Sequence, residues 1–161
     1  MNRPLDRHSA FFNLQEALPE AGCPICRLKK RWTDSFLETI LYESVNDKFF
    51  RSRLAKTEGF CHTHAWRIVE LNSALGGAIL FKDALDRLVQ RLGEKKIQHV
   101  KGLAPCLLCE NELEAESRYL NVMASALGED PGFAAQFHAS SGLCFSHLEM
   151  LLSLLPSASR V

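Results

Sequence analysis

Six cysteines constrain this chain more than any other feature, because all six fall in one pattern that occurs twice. They are Cys23, Cys26, Cys61, Cys106, Cys109 and Cys144. Adding 83 to the first three positions gives the last three, and the same shift carries His64 onto His147. The pattern C-x2-C-x34-C-x2-H is therefore present in two copies with identical gaps. Neighbouring residues keep that register. Phe36-Leu37 falls on Tyr119-Leu120, Asp47 on Asp130, Phe50 on Phe133, and Gly59-Phe60 on Gly142-Leu143. The duplication includes the scaffold as well as the cysteines, and a repeat of this kind has to be read before anything else.

Three thiolates and one imidazole are a common ligand set for structural zinc, which takes four such groups in a tetrahedron. In Cys-x-x-Cys two thiolates converge from a tight turn, and Pro24 stiffens the first of these turns while Pro105 flanks the second. Cys-x-x-His at a helix start puts its two ligands on one face. The candidate ligands are Cys23, Cys26, Cys61 and His64 from one half, and Cys106, Cys109, Cys144 and His147 from the other. Two zinc ions are the expected cofactors, with an iron–sulfur cluster as the alternative. Grouping within each half is the simpler arrangement, since each duplicated unit would carry a complete set. Crossed grouping, in which Cys23 and Cys26 meet Cys144 and His147, is the alternative left open. Four ligands per centre leave no open coordination position, which favours a structural role over hydrolysis.

The other histidines do not fit the pattern. His62 is close to Cys61, but the register puts Phe145 opposite it, so the repeat selects His64. His8, His99 and His138 lack ligand neighbours in sequence, and a surface or core role is the default for them.

The hydrophobic periodicity is helical throughout. Leu28, Trp32, Phe36 and Ile40 recur every four residues in a helix expected over Arg27 to Glu43. Ala115, Tyr119, Val122 and Ala126 mark its partner, from Glu110 to Leu127. Asp47 and Asp130 read as N-caps of short helices that bury Phe50 and Leu54, and Phe133 and Phe137; Pro131 suits the first helical position. Gly59 and Gly142 end these helices. A third helix follows each Cys-x-x-His, from Thr63 into Leu71 and from Ser146 into Leu155. Phe81, Leu85, Leu88 and Leu92 form a stripe on a connecting helix, and Ser9 to Leu18 forms one more. No sustained period-two alternation appears, so no sheet is expected. The predicted fold is all-α: two pseudo-symmetric helical repeats, each built around a Cys3His metal site. The expected boundaries are 1–75 for the first repeat, 76–103 for the connecting helix and 104–161 for the second.

Charge narrows the partners. Lysines and arginines number 19, as do aspartates and glutamates, so no global field attracts nucleic acid or anionic lipid. Locally the halves differ. Cys23 to Ile68 holds nine basic and five acidic residues, while Cys106 to Leu151 holds one basic and seven acidic. Arg27, Lys29, Lys30 and Arg31 stand where Glu110, Glu112 and Glu114 begin the other helix. These opposed faces predict contact within the chain, self-association, or docking of a protein partner. The apolar runs are too short to span a bilayer, and no signal peptide is visible. A cytoplasmic setting is expected, where thiols stay reduced.

The pairs CPIC (Cys23 to Cys26) and GFCHTH (Gly59 to His64), repeated as CLLC and GLCFSH, resemble a family of bacterial helical proteins. That family carries the same tandem Cys-x-x-Cys and Cys-x-x-His pairs and has no assigned activity. The resemblance runs from about Leu14 to Leu155. It implies metal binding in a bacterial cytoplasm and is silent on biochemical role.

No phosphate loop, Ser–His–acid grouping or paired carboxylates emerge, so a binding module is favoured over an enzyme. The leading expectation is a zinc-stabilised interaction or regulatory module. A thiol-based or iron–sulfur redox sensor is the second reading. Nucleic-acid binding through the basic first half is the third, disfavoured by the acidic second half.

Overall fold

The computed structural model of the chain describes residues 7–57, 59–71, 73–94 and 105–155. Among these residues there is no strand. In chain order the α-helices are α1 (Arg7–Ala17), α2 (Pro24–Thr39), α3 (Lys48–Lys56), α4 (His62–Glu70), α5 (Ala74–Gly93), α6 (Leu107–Glu129), α7 (Pro131–Ala139) and α8 (Phe145–Leu154). A five-residue π turn, Ile40–Ser44, extends α2. His99 lies outside the described residues.

Local chemistry accounts for the breaks between helices. The Asp47 carboxylate accepts the Phe50 amide at 2.6 Å. Asp130 accepts the Gly132 and Phe133 amides at 2.8 and 3.1 Å, with Pro131 as the first residue of α7. Both aspartates thus satisfy amides that the first helical turn leaves without partners. Gly59 and Gly142 have φ of +107° and +72°, the left-handed conformation that reverses the chain just before each Cys-x-x-His.

The chain divides into two compact units, with boundaries at Thr33–Asp34 and Asn111–Glu112. Each unit therefore mixes sequence from both halves of the duplication.

The first unit contains α1, the start of α2, most of α6, α7 and α8. Leu14, Leu18, Ile25, Leu28, Leu120, Met123, Phe133 and Leu151 are buried together in it. The stripe expected on α6 is buried as a set: Ala115, Tyr119, Val122 and Ala126 are all core residues. Asn13 on α1 donates to the Tyr119 hydroxyl at 3.1 Å. Lys29 on α2 pairs with Glu116 on α6 at 3.0 Å, and the Thr33 hydroxyl donates to Glu112 at 2.6 Å. The basic face of α2 and the acidic face of α6 thus meet within this unit. Arg27 and Arg31 pair with Glu20 instead.

The second unit contains the end of α2, the π turn, α3, α4, α5 and the first turn of α6. Its core gathers Leu37, Ile40, Leu41, Phe50, Leu54, Ile68, Leu80, Leu107 and Leu108. Arg67 on α4 grips Asp34 with two bonds of 2.6 Å, and Arg51 on α3 forks onto Asp83 of α5. Of the stripe read on α5, Phe81 packs against this core, whereas Leu85, Leu88 and Leu92 remain 47–59 % exposed. Gly76, Gly77 and Leu80 are the buried positions of that helix: Gly76 lets its backbone approach Leu41 of the π turn, and Gly77 faces Ile68 of α4. The sequence stripe followed side-chain type, whereas packing selected the face with no side chain in the way.

No helix among the described residues is long and apolar enough to cross a membrane.

Candidate metal centres

Each of the four motifs sits at a helix start. Cys61 caps α4 and Cys144 caps α8, with nearly the same backbone angles (φ −65°, ψ 166° and φ −66°, ψ 161°). Cys23 and Cys106 immediately precede α2 and α6. In every case the first cysteine's carbonyl accepts the amide four residues on, at 2.9–3.3 Å. The second ligand of each pair therefore stands on the first turn, on the same side as the first. Neither capping sulfur at Cys61 or Cys144 is spent on a cap bond. Helix N-termini carry partial positive charge and favour thiolates.

The eight residues gather into two groups. In the first unit, Cys23, Cys26, Cys144 and His147 bring four donor atoms within 4.8 Å of one another; in the second, Cys61, His64, Cys106 and Cys109 do the same. The grouping is crossed. The simpler expectation, one complete set inside each half, is corrected here: each Cys-x-x-Cys meets the Cys-x-x-His of the other half. The reason is packing. Ile25, between the first two cysteines, shares a core with Leu151, one turn beyond His147. Leu107 and Leu108 share the other core with Ile68, one turn beyond His64. The residues inside each cysteine pair choose which histidine helix they meet.

The distances test whether an ion fits. A tetrahedral zinc with Zn–S of about 2.3 Å and Zn–N of about 2.0 Å separates two sulfurs by about 3.8 Å and sulfur from nitrogen by about 3.5 Å. In the first centre Cys26 Sγ and Cys144 Sγ are 3.8 Å apart. His147 Nδ1 lies 3.3, 3.4 and 3.0 Å from the sulfurs of Cys23, Cys26 and Cys144. In the second, Cys61 and Cys109 are 3.6 Å apart. His64 Nδ1 lies 3.2, 3.6 and 3.5 Å from Cys61, Cys106 and Cys109. Both donor sets fit one tetrahedral ion. Both imidazoles are buried, whereas Cys26 and Cys109 are exposed.

The electrostatics suit a cation. Burial, the bond to Cys144 and repulsion from Cys23 push the Cys26 thiol up to about 12. Burial and the neighbouring sulfurs of Cys61 and Cys106 do the same to Cys109. The backbone amide of His147 brings Cys144 down to about 7. Burial opposes ionisation of Cys106, but His64 and nearby amides bring it to about 6. One thiolate is thus stabilised in each set and raises the cost of the next, a conflict that a dication would remove.

One residue beside the first centre, Glu116, was not read from the sequence as part of it. Glu116 Oε1 lies 2.7 Å from His147 Nε2, on the far side of the ring from the sulfurs, and the same oxygen takes the Lys29 ammonium. Lys29 stands three residues after Cys26 on the ligand-bearing face of its helix, whereas Glu116 lies on a helix whose cysteines belong to the other centre, so no sequence spacing marked it. His62 joins neither group; its Nε2 accepts the Trp66 indole at 3.0 Å. His138 makes an edge contact with Phe137, and His8 is exposed.

Comparison with known proteins gives a family. The family model described as a family of unknown function, DUF6062, matches residues 10–104. The uncharacterized 23.9 kDa protein in the xynA 3' region of Caldicellulosiruptor sp. (strain Rt8B.4) is 32 % identical over 149 residues. That alignment covers 89 % of this chain and 72 % of the relative. No solved structure matches.

Proposed function

We propose that this chain, which belongs to the family of unknown function DUF6062, is a helical interaction or regulatory module stabilised by two structural zinc ions. The ligands are Cys23, Cys26, Cys144 and His147 in one centre, and Cys61, His64, Cys106 and Cys109 in the other. One observation carries the reading: two closed sets of three sulfurs and one nitrogen, each within 4.8 Å. A cluster of two or four irons distributes its ligands over several metal atoms, so its thiolates do not all crowd around one point. The compact sets favour single ions, and the Cys3His composition favours zinc. The four motifs follow the sequence register of 83, which supports descent of the two halves from one duplicated unit.

With all four positions filled by protein, the ions would hold segments together and leave no site for a substrate. Metal binding would then be folding energy. The binding partner is a protein or a second copy of the chain, engaged through the charged helices. Nucleic acid is disfavoured, because the basic first half is offset by an acidic second half and the overall charge is zero.

A second reading has an observation of its own. Cys26 and Cys109 are exposed, so an oxidant reaches one sulfur of each centre. A zinc-releasing thiol sensor is therefore the alternative function.

Elemental analysis of protein purified without added metal tests the proposal. Two zinc ions per chain and a colourless solution are expected. Iron with sulfide would replace zinc by a cluster, and an absence of metal with all six thiols freely titratable in the native state would overturn the proposal.

A further inference from the structure

We infer that Glu116 is the positioning residue of the centre formed by Cys23, Cys26, Cys144 and His147, and that Lys29 holds it in place. The inference rests on the metal reading above and goes beyond its ligands to what orients them. A histidine that binds metal through one ring nitrogen must carry its proton on the other, and the ring must not rotate. A carboxylate accepting that proton fixes both the tautomer and the ring plane, and makes the ligating nitrogen more basic. The geometry here has that form. His147 Nδ1 faces the three sulfurs, and Nε2 donates to Glu116 Oε1 at 2.7 Å. Both side chains are enclosed, at 5 % and 12 % exposure, so water does not compete for the bond.

A buried carboxylate next to a centre of net negative charge would be unfavourable alone. Three thiolates around a dication leave about one negative charge. Lys29 supplies the compensation from α2, 3.0 Å from the same Glu116 oxygen. The chain of contacts runs from one ligand helix to the other: Cys26 and Lys29 on α2, Glu116 on α6, His147 on α8.

The duplication places different side chains at the two equivalent positions. The shift of 83 places Thr33 opposite Glu116, and Glu112 opposite Lys29. These counterparts pair with each other, the Thr33 hydroxyl donating to Glu112 at 2.6 Å. The same two positions of the repeat thus form a carboxylate–ammonium pair once and a hydroxyl–carboxylate pair once. Only the first places an ionised acceptor on His147.

The test uses the full chain loaded with cadmium, whose NMR spectrum gives one resonance per centre, followed by competition with a chelator. In Glu116→Ala, the resonance of the His147 centre should shift and its affinity fall by about 10- to 100-fold, the usual effect of removing such a partner. The resonance of the His64 centre should stay in place and serve as the internal control. Glu116→Gln keeps both the volume and a carbonyl acceptor and should restore most of the affinity, whereas Glu116→Met keeps the volume without the acceptor and should stay as weak as Glu116→Ala; rescue by Met would assign the effect to packing and overturn the inference. Two resonances with unchanged affinity in Glu116→Ala would overturn the inference and leave the metal reading standing. A wild-type chain that binds no cadmium at either centre would overturn both.

Discussion

Crossed ligation can be distinguished from ligation within each half by pairing substitutions. Cys26→Ser and Cys144→Ser strike the same centre in this structure, although they lie in different halves of the sequence. Cys26→Ser and Cys61→Ser lie in the same half and strike different centres. The first double variant should therefore retain one ion per chain, and the second should retain none. The stability losses follow from the segments closed. The first centre links residues 118 apart (Cys26 and Cys144), and the second links residues 48 apart (Cys61 and Cys109). The chain-entropy relation for cross-links gives about 5 kcal/mol for the longer closure and about 4 kcal/mol for the shorter. The motifs are also nested, since the second closure lies inside the first. The inner closure shortens the outer loop to about 70 residues, so loss of either centre alone should cost nearly the same, about 4 kcal/mol. Loss of both should exceed either. Metal stoichiometry by elemental analysis and urea unfolding of the same samples, with circular dichroism to confirm helix content, make the measurement. If the Cys26→Ser/Cys144→Ser chain carries no metal while Cys26→Ser/Cys61→Ser keeps one ion, the crossed grouping is wrong.

Acid should release both ions. In the metal-free chain Cys26 and Cys109 are held near 12, so each stays protonated at neutral pH and must lose its proton when an ion binds. Affinity should then fall about tenfold or more for each pH unit below neutral, as one or more protons compete for each centre; chelator competition at several pH values checks this, and a flat profile refutes it. Gly76→Ala should destabilise the fold. A Cβ there would stand 2.6 Å from the Leu41 carbonyl oxygen, and the overpacking cost of about 1–3 kcal/mol exceeds the helix-propensity gain of about 1 kcal/mol. Gly128→Ala, with open space around it, should gain up to about 1 kcal/mol in the same urea assay. Asp47→Ala and Asp130→Ala should each cost about 1 kcal/mol through loss of a helix cap, and equality with wild type would refute the capping role.

The sequence by itself determined the candidate donor residues, their pairing at i and i+3, and the helices that carry them. These are short-range properties. A Cys-x-x-His at a helix start has its geometry fixed within one turn, and Asp47, Asp130, Gly59 and Gly142 encode their breaks through backbone preferences that need no distant neighbour. The buried stripe Ala115, Tyr119, Val122 and Ala126 was legible for the same reason.

Tertiary structure decided which pair meets which. The two halves carry identical motifs, so spacing alone leaves two groupings of equal chemical quality. The choice fell to hydrophobic contacts between residues far apart in sequence: Ile25 with Leu151 in one core, and Leu107 and Leu108 with Ile68 in the other. It also decided that Leu85, Leu88 and Leu92 stay exposed while Gly76 and Gly77 pack inward, since periodicity marks an apolar face without saying what covers it. Glu116 gained its place beside His147 in the same way, because the approach of α6 to α8 is set by the core of the first unit and not by either helix alone.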